Sequence, residues 1–122
     1  MRHAFTMIEL IFVIVIIGIL AAVAIPKLAE TSKEAHNMNV KSFVGTMNRT
    51  VGTTMWTTAV LNGGDGLVDC GELSKYIDLI IEVTHDGSCE FTVISPATGQ
   101  IRFIEAVNPK AESPLWSYNP EG

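Results

Sequence analysis

The chain has 122 residues, of which 48% are hydrophobic and 17% are charged, and its formal net charge is −5. This length fits one small domain, and the acidic balance argues against broad nucleic-acid binding, which needs clustered cations to displace counterions from phosphates. The apolar residues are unevenly distributed: no polar side chain occurs from Leu10 to Ile25, whereas the chain beyond Pro26 has an ordinary soluble composition. The sequence therefore predicts an apolar rod joined to a polar head.

The first predicted element is a helix over residues 5–28, FTMIELIFVIVIIGILAAVAIPKL. At 1.5 Å per residue it would be about 36 Å long, enough to cross a bilayer core of about 30 Å. Arg2 favours a cytoplasmic N-terminus, and the apolar run is not followed by the small-residue cleavage site of a secretory signal peptide. We therefore expect a retained transmembrane helix with the head outside the cytoplasm.

Glu9 is an ionisable residue near the start of this apolar run. A charge in such a segment is costly and usually has a partner. Two interpretations are open: Glu9 lies at the headgroup level and stays hydrated, or it meets a cation of another chain, such as a free α-amino group on a neighbouring Phe5. The second would fix the register between chains, because an unpaired carboxylate in a low dielectric is heavily penalised.

The segment Ala4-Phe5-Thr6-Met7-Ile8-Glu9-Leu10 resembles the cleavage and methylation motif of type IV prepilins, which is shared by pseudopilins of type II secretion systems. That family has a short basic leader, a small residue before the cut, Phe after it and Glu at the fifth mature position. A long apolar helix follows, with Gly and Pro at set places that Gly18 and Pro26 match. The resemblance covers residues 2–28.

The resemblance implies that a membrane prepilin peptidase cuts between Ala4 and Phe5 and methylates the Phe5 amine, which makes residues 1–4 a leader peptide. These positions are substrate positions rather than catalysts. Ala4 replaces the commoner Gly and Met7 replaces the usual Leu; because Ala is still small, we expect cleavage. The resemblance also implies that Glu9 registers subunits during assembly.

Gly18 and Pro26 interrupt the helical pattern of the apolar segment. Gly weakens a helix by about 1 kcal/mol relative to Ala, and Pro26 removes a hydrogen bond and clashes with the carbonyl of Ala22. Physical reasoning alone predicts a simple kink in the membrane helix, or a notch at Gly18 where another helix can pack. The resemblance implies local melting, which lets the helix extend when subunits pack into a filament, and both interpretations are open.

The next predicted element is an amphipathic helix over residues 29–61. Apolar residues recur on one helical face, which we expect to pack on a sheet: Val40, Phe43, Val44, Met47, Val51 and Met55. Gly45 and Gly52 are weak points, and the run Asn62-Gly63-Gly64-Asp65-Gly66 ends the helix.

Residues 62–122 read as a small β-rich head. Three strands are predicted over Leu79–Thr84, Cys89–Ile94 and Ile101–Val107, because each run is β-rich and turn residues, including Asp86-Gly87, separate them. A short helix from Glu72 to Ile77 and an irregular tail after Asn108 complete the head; we expect Trp116 and Tyr118 to tack this tail to the head, and the alternative is that they form a contact surface in a polymer. The fold class is therefore α+β: a long N-terminal helix, half membrane-spanning and half amphipathic, on a small three-stranded antiparallel sheet.

Cys70 and Cys89 are the two cysteines, and both lie in the head. An even count in an exported domain favours a disulfide, which in a loop of about 20 residues would contribute roughly 3 kcal/mol. Two free thiols in a reducing compartment are the alternative. His85 and two distant cysteines do not make a zinc ligand set.

Other candidate sites are weak. Asp65, Asp69 and Glu72 lie near glycines and could hold calcium, or could form a solvated acidic turn, and we expect no cofactor. Asn48-Arg49-Thr50 fits the glycosylation pattern but falls inside the predicted helix, which favours chance. The histidines are scattered without catalytic partners, so we expect no enzyme activity.

The leading hypothesis is a structural subunit of a type IV pilus, and the alternative is a type II secretion pseudopilin. A third hypothesis is a minor pilin that binds DNA or a surface through Lys110, Trp116 and Tyr118. Expected partners are other copies of the chain, prepilin peptidase, the inner-membrane assembly machinery and, before assembly, membrane lipid. The precursor is expected in the inner membrane, and the mature subunit in a surface pilus or, for a pseudopilin, in the periplasm.

Overall fold

The computed structural model describes residues 4–122, so the leader residues Met1–His3 lie outside the described part of the chain. The chain divides into two compact units with a boundary between Ser32 and Lys33. The long helix α1, Met7–Thr46, contributes residues to both units.

The first unit is formed by the apolar part of α1. Its large hydrophobic side chains from Leu10 to Leu28 are 46–67% exposed, so they make few packing contacts within this chain. By length and composition this is the one helix in residues 4–122 that could cross a membrane. An apolar surface of this extent needs lipid or other chains to cover it.

The second unit, Lys33–Gly122, is called the head from here on. In it, α1 continues into a π-helical turn, Met47–Val51, and then into α2, Gly52–Leu61. The apolar face predicted for this helical stretch is confirmed, since all six of its residues are buried: Val40, Phe43, Val44, Met47, Val51 and Met55. The π-helical turn lies between the two predicted weak points, Gly45 and Gly52. After α2 the chain turns at Gly63, whose φ of 77° suits glycine.

The sheet has four antiparallel strands in the order β1-β2-β3-β4. They are β1 Val83–His85, β2 Phe91–Val93, β3 Gln100–Ile104 and β4 Leu115–Asn119. The α+β class is confirmed, but the prediction of three strands missed one. A 3-10 helix, Cys70–Lys75, precedes the sheet, close to the predicted short helix.

The missed strand is β4, which lies in the tail that we expected to be irregular. Prolines before and after it suggested loop, yet the five residues from Leu115 alternate in burial, with Trp116 and Tyr118 turned inward and Ser117 exposed. This period of two is the signal of a half-buried strand. The pairing of Phe103 with Trp116 fixes its register against β3.

The core lies between the helical face and the inner face of the sheet. Phe43 contacts Phe91 edge-on at 5.5 Å between ring centroids, and Phe91 lies 6.3 Å from Trp116 in a similar arrangement. Trp116 also lies 5.1 Å from Phe103. These offset aromatic contacts add to the area that the rings bury, and they place β4 at the centre of the packing.

Candidate functional site

The start of α1 is closed by a reciprocal pair of hydrogen bonds between Thr6 and Glu9. The backbone N–H of Thr6 donates to Glu9 Oε2 at 2.9 Å, and the backbone N–H of Glu9 donates to Thr6 Oγ1 at 3.2 Å. The Thr6 hydroxyl also donates to Glu9 Oε2 at 3.2 Å. This is a capping box, which satisfies N–H groups that a helix leaves without partners at its start.

The capping box gives Glu9 a partner inside its own chain, a role that neither sequence interpretation included. The signal was present, because Thr6-Met7-Ile8-Glu9 has the threonine and glutamate at the required spacing. The carboxylate remains exposed in this arrangement. It could therefore exchange the Thr6 N–H for a stronger donor supplied by another molecule.

Ala4 and Phe5 precede the first residue of α1 and adopt no regular secondary structure. The Phe5 side chain is 82% exposed. Both residues are thus exposed in an irregular segment.

Gly18 and Pro26 both lie within α1, which remains helical through the proline. A Cβ placed on Gly18 would meet nothing within 4 Å. The missing side chain at Gly18 is therefore not required by packing within this chain.

The structure contains the predicted disulfide between Cys70 and Cys89, with a Cα–Cα distance of 5.1 Å. Cys70 opens the 3-10 helix, and Cys89 lies just before β2. The indole N–H of Trp116 donates to the carbonyl of Cys89 at 2.8 Å. The bridge therefore joins the segment before the sheet to the aromatic core.

The three weak calcium candidates serve local structure. Asp65 accepts the N–H of Leu67 at 3.1 Å, and Asp69 accepts the N–H of Gly71 at 3.0 Å. Glu72 pairs with Lys75 at 2.9 Å. Within residues 4–122 no group of three or more His, Cys, Asp or Glu side chains is arranged to hold a metal ion.

Glu82 is a carboxylate buried between the helix and the sheet, with 3% of its surface exposed. Its Oε1 lies 2.7 Å from His36 Nδ1 and accepts the side-chain N–H of Asn39 at 3.1 Å. The hydrogen bonds from His36 and Asn39 lower the pKa of this carboxyl below its ordinary value. This cluster could not be recognised in the sequence, because Asn39 and His36 are 43 and 46 residues from Glu82.

Asn48, in the π-helical turn, binds the backbone of β4. Its side-chain amide donates to the carbonyl of Trp116 at 2.8 Å and accepts the N–H of the same residue at 2.7 Å. The amide nitrogen that glycosylation would modify is thus engaged, which agrees with a chance occurrence of Asn48-Arg49-Thr50.

The aromatic residues proposed for surface binding are held in the head instead. Trp116 is 2% exposed. Tyr118 is half-buried and donates its hydroxyl to the carbonyl of Thr98 at 2.6 Å, and burial raises the pKa of that phenol. Of the three residues suggested for DNA or surface binding, Lys110 alone is exposed.

Comparison with protein families matches residues 1–25 to the family described as the prokaryotic N-terminal methylation motif. The chain thus carries the signature of type IV prepilins and pseudopilins at its N-terminus. Neither the curated proteins nor the solved structures gave a match.

Proposed function

We propose that this chain is a structural subunit of a type IV pilus. The observation that carries the proposal is the methylation motif over residues 1–25, placed at the start of a helix whose apolar side chains are exposed. Such a helix can lie in lipid as a precursor and be covered by other copies in a filament. The subunits of this class are structural, so we propose no enzymatic role for the chain.

Processing is proposed at the irregular segment before α1. Prepilin peptidase would cut after Ala4, releasing residues 1–4, and methylate the new amine of Phe5. The exposure of Phe5 supports this, since the peptidase must reach the bond. The segment 5–28 would anchor both the precursor and the processed subunit in the inner membrane, with the head outside the cytoplasm.

Assembly is proposed to bury the apolar part of α1 against the same segment of other copies. Gly18 supports close approach, because its surface is open in the isolated chain. Pro26 would allow the helix to extend locally, since it lacks the N–H of the helical hydrogen bond. Lipid already covers this surface in the membrane, so the assembly machinery would have to extract the subunit, and contacts between copies would then keep the apolar side chains out of water.

Glu9 is proposed to set the register by exchanging partners. In the single chain its carboxylate accepts the N–H of Thr6. In a filament the charged amine of a neighbouring Phe5 would replace that neutral donor, since attraction between two opposite charges is strong where water is excluded. A neighbour displaced along the fibre would leave both charges unpaired in an apolar setting, at a high cost.

A short periplasmic pseudopilus is the second candidate, because the same N-terminal motif serves both assemblies. The proposal is tested by mass spectrometry of filaments sheared from the native cells. A pilus subunit would dominate them and begin at methylated Phe5. Processed chain confined to the membrane fraction would favour the pseudopilus, and an intact leader would contradict both.

The role of Glu9 is tested with two variants that separate charge from helix capping. Glu9→Gln keeps a side-chain acceptor but removes the charge, whereas Thr6→Ala removes half of the capping box and keeps the charge. If Glu9 acts by charge, Glu9→Gln stops filament formation and Thr6→Ala still yields filaments. Equal defects in both variants would reduce Glu9 to a helix cap.

A further inference from the structure

A cationic cleft opens on the head where α1 and the π-helical turn meet β4. It has a volume of about 490 Å³, and its lining includes Met38, Lys41, Asn48, Arg49, Trp116 and Tyr118. Lys41 and Arg49 are the charged residues of this lining, which contains no carboxylate. Both are exposed, so the cleft presents two positive charges to solvent above an aromatic floor.

Gly45 shapes this cleft by leaving room for Arg49. Lys41, Gly45 and Arg49 follow one another at intervals of four along the helical stretch, so they lie along one side of it. The Arg49 guanidinium lies over Gly45, with one terminal nitrogen 3.3 Å from the position a Cβ would take. A Cβ here would require the flexible guanidinium to shift by a few tenths of an ångström, so the glycine leaves room for this cation beside the cleft.

The cleft is positively charged, although the unit that contains it has a negative net charge. The unit Lys33–Gly122 has six Lys and Arg against eleven Asp and Glu, a formal net charge of −5. Within residues 4–122 neither Lys41 nor Arg49 forms an ion pair, whereas Lys75 pairs with Glu72. The cleft is therefore a local site for an anion that its own chain does not supply.

We propose that the cationic cleft receives exposed carboxylates from the head of a second copy of this chain. The inference rests on the proposed function, since it concerns the packing of heads in a filament. Heads that each carry a net charge of −5 repel one another, so close packing requires places where cations face carboxylates.

The head carries carboxylates suited to this role. Asp65, Asp69 and Asp86 accept backbone N–H groups in their own turns. Within residues 33–122 the carboxylates with no such bond and no ion pair are Glu34, Asp78, Glu90, Glu105, Glu112 and Glu121. Since these are free to meet a cation elsewhere, we expect at least one of them to contact Lys41 in the cleft, beside Arg49.

Carbodiimide cross-linking of intact filaments tests the contact directly, because it joins an amine to a carboxylate that touches it. The expected product is a covalent dimer on a denaturing gel, with Lys41 linked to an acidic peptide of the head. Lys41→Arg is the matched variant: it keeps the positive charge, so filaments should form, but the Lys41 cross-link must disappear. Filaments in which Lys41 stays unlinked would overturn the inference.

Charge reversal tests the energetic role. The double variant Lys41→Glu with Arg49→Glu should lower the yield of sheared filaments about tenfold, since like charges at a contact cost more than 1.4 kcal/mol. Arg102→Glu with Lys110→Glu makes the same change in net charge elsewhere on the head and should leave the yield near wild type. Processed subunit in the membrane is measured for each, so that loss of protein is not read as loss of assembly.

The outcomes separate the two proposals. If the wild-type chain forms no filaments, the proposed function fails. If filaments form normally with the Lys41 and Arg49 reversals, the proposed function stands and the cleft is not a contact between copies. If wild-type filaments retain duplex DNA and the same reversals abolish that retention without changing filament yield, the cleft takes a nucleic acid and the inference is overturned.

Discussion

The side chain of Asn48 makes two hydrogen bonds to one residue of β4, donating to the carbonyl of Trp116 at 2.8 Å and accepting its N–H at 2.7 Å. The N–H and carbonyl of Trp116 both bond to Asn48, so they point away from β3. They therefore face outward at the free edge of the sheet, which β4 forms. The amide thus takes the place that a further strand would occupy and closes part of this edge. A π-helical turn at this position brings the helix to the strand.

Asn48→Ala should lower the free energy of unfolding by about 1–3 kcal/mol, because it leaves a half-buried N–H and carbonyl without partners. Urea unfolding of the full-length protein in detergent micelles, followed by tryptophan fluorescence, would measure the change. Asn62→Ala is the control, since Asn62 is exposed at the end of α2. Equal stability of the two variants would contradict the structural role of Asn48.

Gly52→Ala should destabilise the head even though alanine favours helix. A Cβ at this position would lie 2.9 Å from the Trp116 ring and 3.0 Å from the carbonyl oxygen of Met47. Overpacking of this kind costs about 1–3 kcal/mol, more than the gain of about 1 kcal/mol from helix propensity. The same urea titration would show it, with the exposed Thr57→Ala as control. A more stable Gly52→Ala variant would mean that Trp116 can move aside.

Reduction of the Cys70–Cys89 bridge should destabilise the head by roughly 3 kcal/mol, since the bridge closes a loop between two residues that are 19 positions apart in the sequence. The test compares urea midpoints with and without a thiol reductant. The variant with both cysteines replaced by alanine should match the reduced protein and be insensitive to reductant. Identical midpoints under oxidising and reducing conditions would show that the bridge adds no stability.

The sequence was most informative where one physical rule acted alone. The apolar run before Pro26 and the spacing of Val40 and Met55 on one helical face could be predicted because burial imposes a simple period. The strand β4 was missed because prolines flank a segment whose alternation is only five residues long. The capping box of Thr6 and Glu9 was not predicted, although a threonine three residues before a glutamate is its sequence signature.

Other features could not be read from the chain, because they depend on contacts between distant segments. Nothing local to Asn48 predicts that its amide binds Trp116, 68 residues further on. The cleft beside Lys41 likewise exists only after β4 has joined the sheet. The role of Gly52 was also hidden: it was predicted as a weak point of the helix, and it is instead where the Trp116 ring approaches the helix.

The free energy of unfolding should fall in acid because of Glu82. This residue directly precedes β1 and bonds to His36 and Asn39 of α1. The pKa of Glu82 in the folded state is lower than the ordinary value of 4.5. The unfolded chain therefore binds the proton first as pH falls. The contribution of Glu82 is fully present above pH 4.5, and it is lost as pH falls from there through the pKa of the folded state.

Glu82→Gln should remove this part of the pH dependence. We expect the variant to be less stable than wild type near pH 7, because a neutral amide replaces a carboxylate that His36 and Asn39 hold. The difference between the two proteins should shrink as pH falls below 4.5. Urea unfolding at a series of pH values measures both, with the exposed Glu90→Gln as control. A difference that stays constant down to the acid limit would mean that Glu82 is not the group being titrated.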